Sequence, residues 1–164
     1  MASGDTLAVF TPLHNEPPSS NFATFDTRNS HVVLDFDTTT QETAIFRGVM
    51  PRHYAGGGIT VYVHASLTSA ITGTLGWDVT FERVSDSQQD IDSDGWATAQ
   101  TITAATVPGT SGFVAIVNVA ITAGAAGTDS VAVGEGFRLR VRRDVANDTA
   151  AGDAELWAVE VKET

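Results

Sequence analysis

The sequence predicts an all-β protein, a single-domain two-sheet antiparallel sandwich of jelly-roll type, with an immunoglobulin-like sandwich as the alternative. Three observations carry that expectation. Apolar and polar residues alternate with a period of two over most of the chain. Turn-rich breaks such as "NEPPSSN", "PRHYAGGG" and "VANDTAAGD" separate the alternating runs at regular spacing. No segment sustains a helical period, so only another sheet is left to cover a sheet.

Taken in order, the N-terminal "LAVFTPLHNEPPSSNF" is apolar and proline-containing, and residues 1–22 read as an extended N-terminal arm. In "HVVLDFD" (31–37), Val32, Leu34 and Phe36 point one way while Val33, Asp35 and Asp37 point the other. The glycines of "AGGGI" (55–59) mark a turn needing positive φ, because a phosphate loop would continue with Lys-Ser/Thr. "ITVYVHASL" sets Ile59, Val61 and Val63 against Thr60, Tyr62 and His64, and "GWDVTFERV" sets Trp77, Val79 and Phe81 against Asp78, Thr80 and Glu82. "FVAIVNVAI" (113–121) is apolar on both faces, which predicts a central strand or one covered by a partner subunit. "GFRLRVRRD" turns Phe137, Leu139 and Val141 inward and Arg138, Arg140 and Arg142 outward. "AELWAVEVKE" sends Trp157, Val159 and Val161 to one side. Residues 136–143 and 153–162 flank "DVANDTAAGD" and read as an antiparallel hairpin. Eight or nine strands result, with short helical turns near Pro51–Tyr54 or Ser130–Gly134, and 1–164 forms one domain.

Charge narrows the function. Nine Lys and Arg face twenty Asp and Glu, a formal net charge of -11, which opposes non-specific nucleic-acid binding. There is no cysteine, so disulfides and thiolate metal sites are excluded. The N-terminus lacks the basic and apolar regions of a signal peptide, and no apolar run approaches the roughly 18 residues of a membrane span; the expectation is a soluble chain made in a cytoplasm. Four of the nine cations fall together at Arg138, Arg140, Arg142 and Arg143. The expected hairpin partner carries Glu155, Glu160 and Glu163, so the central Arg140 is expected to pair within its own sheet. Arg138, Arg142 and Arg143 are the candidate interface residues, the last two lying nearest the loop, since the Arg fork suits a partner's carboxylates.

The search for chemistry yields little. His14, His31, His53 and His64 have no metal-ligand spacing, and Asp35 with Asp37 is an unremarkable pair in so acidic a chain. No nucleophile elbow or dinucleotide fingerprint is present, so no catalytic residue and no enzymatic activity is predicted. "DIDSDG" matches the opening of a calcium loop, with Asp90, Asp92 and Asp94 as ligands. Its twelfth position is Thr101 instead of a bidentate Glu, so a solvated acidic loop is the competing reading, and no other cofactor is implied.

The phrases "FDTRNSHVVLDFD", "FRGVMPRHYAGGGITV", "FERVSDSQQDIDSDGWA", "GEGFRLRVRRD" and "GDAELWAVEVKET" together resemble a group of small virion structural proteins of tailed bacteriophages and aquatic metagenomes. Members of that group resemble capsid cement (decoration) proteins. The resemblance implies a homotrimer on the capsid exterior, assembled in the host cytoplasm, that clamps neighbouring copies of the major capsid protein and contacts neither nucleic acid nor membrane. It carries no shared catalytic residue. The alternative is a carbohydrate- or host-surface-binding module of a head fibre or tail, with Tyr62, Trp96 or Trp157 stacking on sugar rings.

Overall fold

A computed structural model of the chain describes residues 4–164. It holds ten strands: β1 (Thr6–Phe10), β2 (Thr24–Arg28), β3 (His31–Phe36), β4 (Thr43–Val49), β5 (Ile59–Leu67), β6 (Thr74–Val84), β7 (Gln100–Thr106), β8 (Ala115–Ile121), β9 (Gly136–Arg143) and β10 (Ala154–Glu163). They form two antiparallel sheets packed as a sandwich. One runs β2-β3-β10-β5-β8, with β1 also on β10, and the other runs β4-β9-β6-β7.

The inward residues are those that the alternation selects. Leu34 and Phe36, Val61 and Val63, Trp77, Val79 and Phe81, and Phe137, Leu139 and Val141 are all buried. Phe36 meets Trp77 edge-on with ring centroids 5.0 Å apart, while Phe10 stacks on Phe46 at 5.4 Å and Phe137 tilts against Phe81. Each such side chain contributes about 1.5–3 kcal/mol by leaving water.

Several expectations are corrected. Residues 136–143 and 153–162 are not a hairpin: β9 lies between β4 and β6, whereas β10 belongs to the opposite sheet. The ten residues 144–153 therefore cross between layers. Adjacency in sequence does not choose between pairing and crossing in a sandwich, since both bury the same apolar face. The N-terminal segment is no free arm from residue 4 onward. Strand β1 pairs with β10, Leu7 and Phe10 enter the core, and Asn15 and Phe22 bridge to β4; residues 1–3 of the expected arm lie outside the described residues. Strand β8 is an edge strand, with Val117 and Val119 packed inward and Ile116 exposed. Among the described residues the one regular helix is the short Pro12–His14, while the expected turn at Pro51–Tyr54 is a single turn closed by the Tyr54 N–H on the Pro51 carbonyl at 3.0 Å. Gly56 does take a positive φ, at 85°.

Arg143 corrects the interface assignment. It follows Phe137, Leu139 and Val141 at even spacing, so the pleat turns it inward, and its side chain is fully buried. Its Nε donates to Asp148 Oδ2 at 2.7 Å, and its Nη atoms donate to the carbonyls of Gly152 and Ala150, both at 2.9 Å. The guanidinium thus holds the crossover 144–153 from within and is closed to any partner.

Candidate functional site

The outer face of the six-stranded sheet carries a groove of about 460 Å³ lined by Arg28, Asn29, His31, Ser66, Phe113 and Trp157, among others. Three local devices build it. The first is the β2–β3 hairpin, whose two turn residues Asn29 and Ser30 both have positive φ (47° and 65°), the twist that a two-residue hairpin loop favours. That turn fixes Arg28 opposite His31 and sets Asn29 at the rim.

The second device is a bulge in β10. Pairing with β5 runs Leu156 to Ala65 and then Ala158 to His64, leaving Trp157 unpaired. The extra residue reverses the strand's parity, so Leu156, Val159 and Val161 are buried while Trp157 turns outward and is 47 % exposed. Uninterrupted alternation placed Trp157 with Val159 and Val161; the bulge is why it is not.

The third device is the 110–113 turn. Gly112 has φ 82°, and a Cβ there would lie 2.8 Å from the Arg28 guanidinium. Glycine therefore lets the turn close against Arg28 and presents Phe113, 62 % exposed, across the groove from the β2–β3 hairpin. The sequence does not distinguish Phe113, which sits at the head of a run apolar on both faces. The glycine before it was the available signal.

Charge is fixed beneath the aromatic pair. Arg28 Nη1 donates to Glu155 Oε2 at 2.6 Å and to the Leu67 carbonyl at 2.8 Å, and Ser66 Oγ donates to the same Glu155 oxygen at 2.9 Å. Asp35, opposite Glu155 in the register, is pushed up to about 6, first by burial and then by the charges of Asp26 and Glu155. Asp37 runs the other way, held down to about 2 by the Thr39 and Thr40 backbone N–H groups. The site is an aromatic shelf with a braced cation and several hydroxyl, amide and imidazole groups around it. Such a surface offers aromatic faces for stacking and polar groups for hydrogen bonding side by side.

The outer face of the four-stranded sheet is built differently. Arg142, Arg140 and Arg138 stand beside Asp78, Thr80 and Glu82 of β6 in register. Arg138 pairs with the buried Glu82, Arg142 Nη2 lies 3.6 Å from Asp78, and Arg47 Nη2 lies 2.9 Å from Glu16. Arg140 reverses its expected role. It reaches Thr80 Oγ1 at 3.3 Å and, among the described residues, pairs with no carboxylate. Burial, then the nearby Arg142, lowers its pKa. Trp96 covers the ladder, its ring centre 4.8 Å from the Arg138 guanidinium and 4.7 Å from that of Arg140. Glu155, Glu160 and Glu163, the expected partners of these arginines, lie on the other sheet.

The remaining sequence candidates stay apart. Asp90 Oδ1 accepts from the Asp92 N–H at 3.0 Å and Asp94 Oδ1 from the Gly95 N–H at 2.9 Å. Among the described residues no three His, Asp or Glu side chains gather as metal ligands. His31 lines the groove, His14 bonds to Thr11, and Tyr62 shares the outer face of its sheet, with Lys162 Nζ 5.8 Å from its ring.

No family model and no curated protein matches the chain. Solved structures do. A family 35 carbohydrate-binding module from an environmental isolate aligns over 94 % of this chain and 92 % of its own, with a TM-score of 0.52 at 12 % identity. Xyl-CBM35, solved with a glucuronic-acid-containing disaccharide, aligns over 93 % and 91 %, with a TM-score of 0.52 at 8 % identity. The chain shares their jelly-roll sandwich. The CBM22-1 and GH10 modules of a Clostridium thermocellum endo-1,4-β-D-xylanase, complexed with xylohexaose, align over 97 % of this chain but 28 % of theirs, with a TM-score of 0.50 at 11 % identity. Carbohydrate-binding modules and a bacteriophage tailspike fragment are among the neighbours of this fold, and no match to a capsid cement protein was found.

Proposed function

We propose that the protein is a carbohydrate-binding module whose glycan seat is the groove between Trp157 and Phe113. The observation that carries this is the pair of exposed aromatic side chains bordering one polar-lined groove. Single exposed apolar side chains are ordinary on a folded protein, but large exposed apolar side chains grouped beside polar groups in one groove mark a binding site. Sugar rings present a flat C–H face for the aromatics and a rim of hydroxyls for Ser66, Asn29 and His31. The similarity of fold to carbohydrate-binding modules favours this reading over the clamping of capsid subunits. On a virion, the setting that the sequence resemblance implies, the module would attach a fibre or tail to host-surface glycan.

A glycan array followed by isothermal titration with its best oligosaccharide tests the proposal, with xylohexaose, cellohexaose and mannohexaose as first probes. We expect saturable binding that W157A weakens at least tenfold while the far-ultraviolet circular dichroism stays unchanged. Array silence together with unaltered titration in W157A would remove the assignment.

A further inference from the structure

A second groove, of about 290 Å³, opens on the opposite sheet between Trp96 and the segment 18–21. Its floor is Thr43 and Ile45 of β4 with Arg140 and Arg142 of β9. The wall is tied to the free edge of β4 by backbone bonds: Thr43 N–H donates to Asn21 O at 2.8 Å and Ala23 N–H to Thr43 O at 3.1 Å. This groove is therefore shaped before any ligand arrives.

Two arginines line it and no carboxylate does, in a chain where acids outnumber bases twenty to nine. Three arginines of β9 face two acids of β6, and the shortfall falls on Arg140. The 3.6 Å separation of Arg142 from Asp78 is too long for a hydrogen bond. Both Nε donors, of Arg140 and of Arg142, are buried without a partner. A buried donor or cation left unmet costs more than one that is paired, so the site stands ready for an anion.

We propose that this groove is a second binding site, taking the carboxylate of a sugar acid on Arg140 and Arg142. The planar fork of Arg matches a carboxylate's two oxygens. Ser20, Asn21, Gln41 and Thr43 surround it with the hydroxyl and amide groups that pair with sugar hydroxyls, and the Trp96 indole forms one side. An acidic peptide would supply the carboxylate but leave much of that polar rim unmet. Because the groove shares no residue with the Trp157 groove, each site stands or falls alone.

The test is tryptophan fluorescence in a W157F background, where Trp96 reports the groove and buried Trp77 the core. D-galacturonate should change the emission saturably and D-galactose should not. R140Q should weaken galacturonate binding at least tenfold with circular dichroism unchanged. R140K, which keeps the charge and loses the fork, should fall between and serves if R140Q misfolds. Equal response to galactose, unaltered affinity in R140Q and R140K, or no saturable change would overturn the proposal. Tighter binding of inorganic phosphate, or of an acetylated glutamate amide, would overturn the sugar-acid assignment in favour of a phosphate or peptide partner.

Discussion

The two outer faces of this sandwich come from the same alternating sequence pattern and end in opposite states. On the four-stranded sheet the outward positions of β6 and β9 are mostly charged, and the charges meet one another under Trp96. On the six-stranded sheet the charges are drawn beneath the surface, where Arg28, Ser66 and Glu155 lock together and leave Trp157 and Phe113 above them. A face whose polar groups satisfy one another keeps its shape but offers few free contacts. One whose polar groups are braced below an aromatic shelf offers a ready binding surface. Arg140 is the exception on the first face, and for that reason the place where a second ligand is inferred.

The largest effect that sharpens this contrast lies between the faces. R143Q removes a fully buried cation and leaves Asp148 and three carbonyls, of Phe36, Ala150 and Gly152, without their donor. We expect a loss of about 3–5 kcal/mol, read as the denaturant midpoint, with no change in glycan affinity if the variant remains folded. A loss below about 1 kcal/mol would mean that the crossover does not depend on the clamp. Next, W157A with F113A should abolish measurable glycan binding while costing little stability, because Trp157 is already 47 % and Phe113 62 % exposed. The matched change on the other face, W96A, should leave neutral-glycan binding untouched and lower stability by about 1 kcal/mol through the lost contacts with two guanidinium groups.

Much of this was legible in the sequence, and the failures have physical causes. Period-two alternation located the core of β3, β5, β6 and β9, since one face of each must be apolar. The same parity, extended past Val141, turns Arg143 inward as well. What alternation lacks is any record of which strands pair, so the β9–β10 connection read as a hairpin and the arginines acquired the wrong acids. Nor does it record a bulge, and the placement of Trp157 depends on one extra residue in β10. Asp90, Asp92 and Asp94 matched a ligand pattern by spacing, yet two of the three spend an oxygen on neighbouring backbone N–H groups.

Acid titration separates two neighbouring carboxylates on and just past β3. Asp35, beside Glu155 in the register, is pushed up to about 6 from its ordinary 3.8 by burial and by the charges of Asp26 and Glu155. Its neutral form is favoured by folding, so that stabilisation is complete below about pH 4 and is lost as pH rises through 6. Asp37 has the opposite sign: its contribution is present above about pH 4 and is lost as pH falls toward 2. D35N should therefore melt higher than the parent at pH 7, and the gap should narrow as pH falls through 6 and close only below about pH 4. A constant gap across that range would place the effect elsewhere than in ionisation. The smallest expected effect is that of a chelator: EDTA should leave the melting temperature unchanged, because the 90–94 loop gathers no ligand set. A clear drop would reveal a bound cation stabilising the native state.

The most direct measurement uses the three tryptophans as reporters, Trp157 on one face, Trp96 on the other and Trp77 in the core. In a ¹H–¹⁵N correlation spectrum each gives one indole resonance, assigned by single Trp-to-Phe substitutions. Titration with the best neutral oligosaccharide from the array should move the Trp157 signal progressively and leave those of Trp96 and Trp77 in place. Movement of the Trp96 signal alone, or of none of the three at saturating sugar, would contradict the assignment of the glycan seat to the Trp157–Phe113 groove.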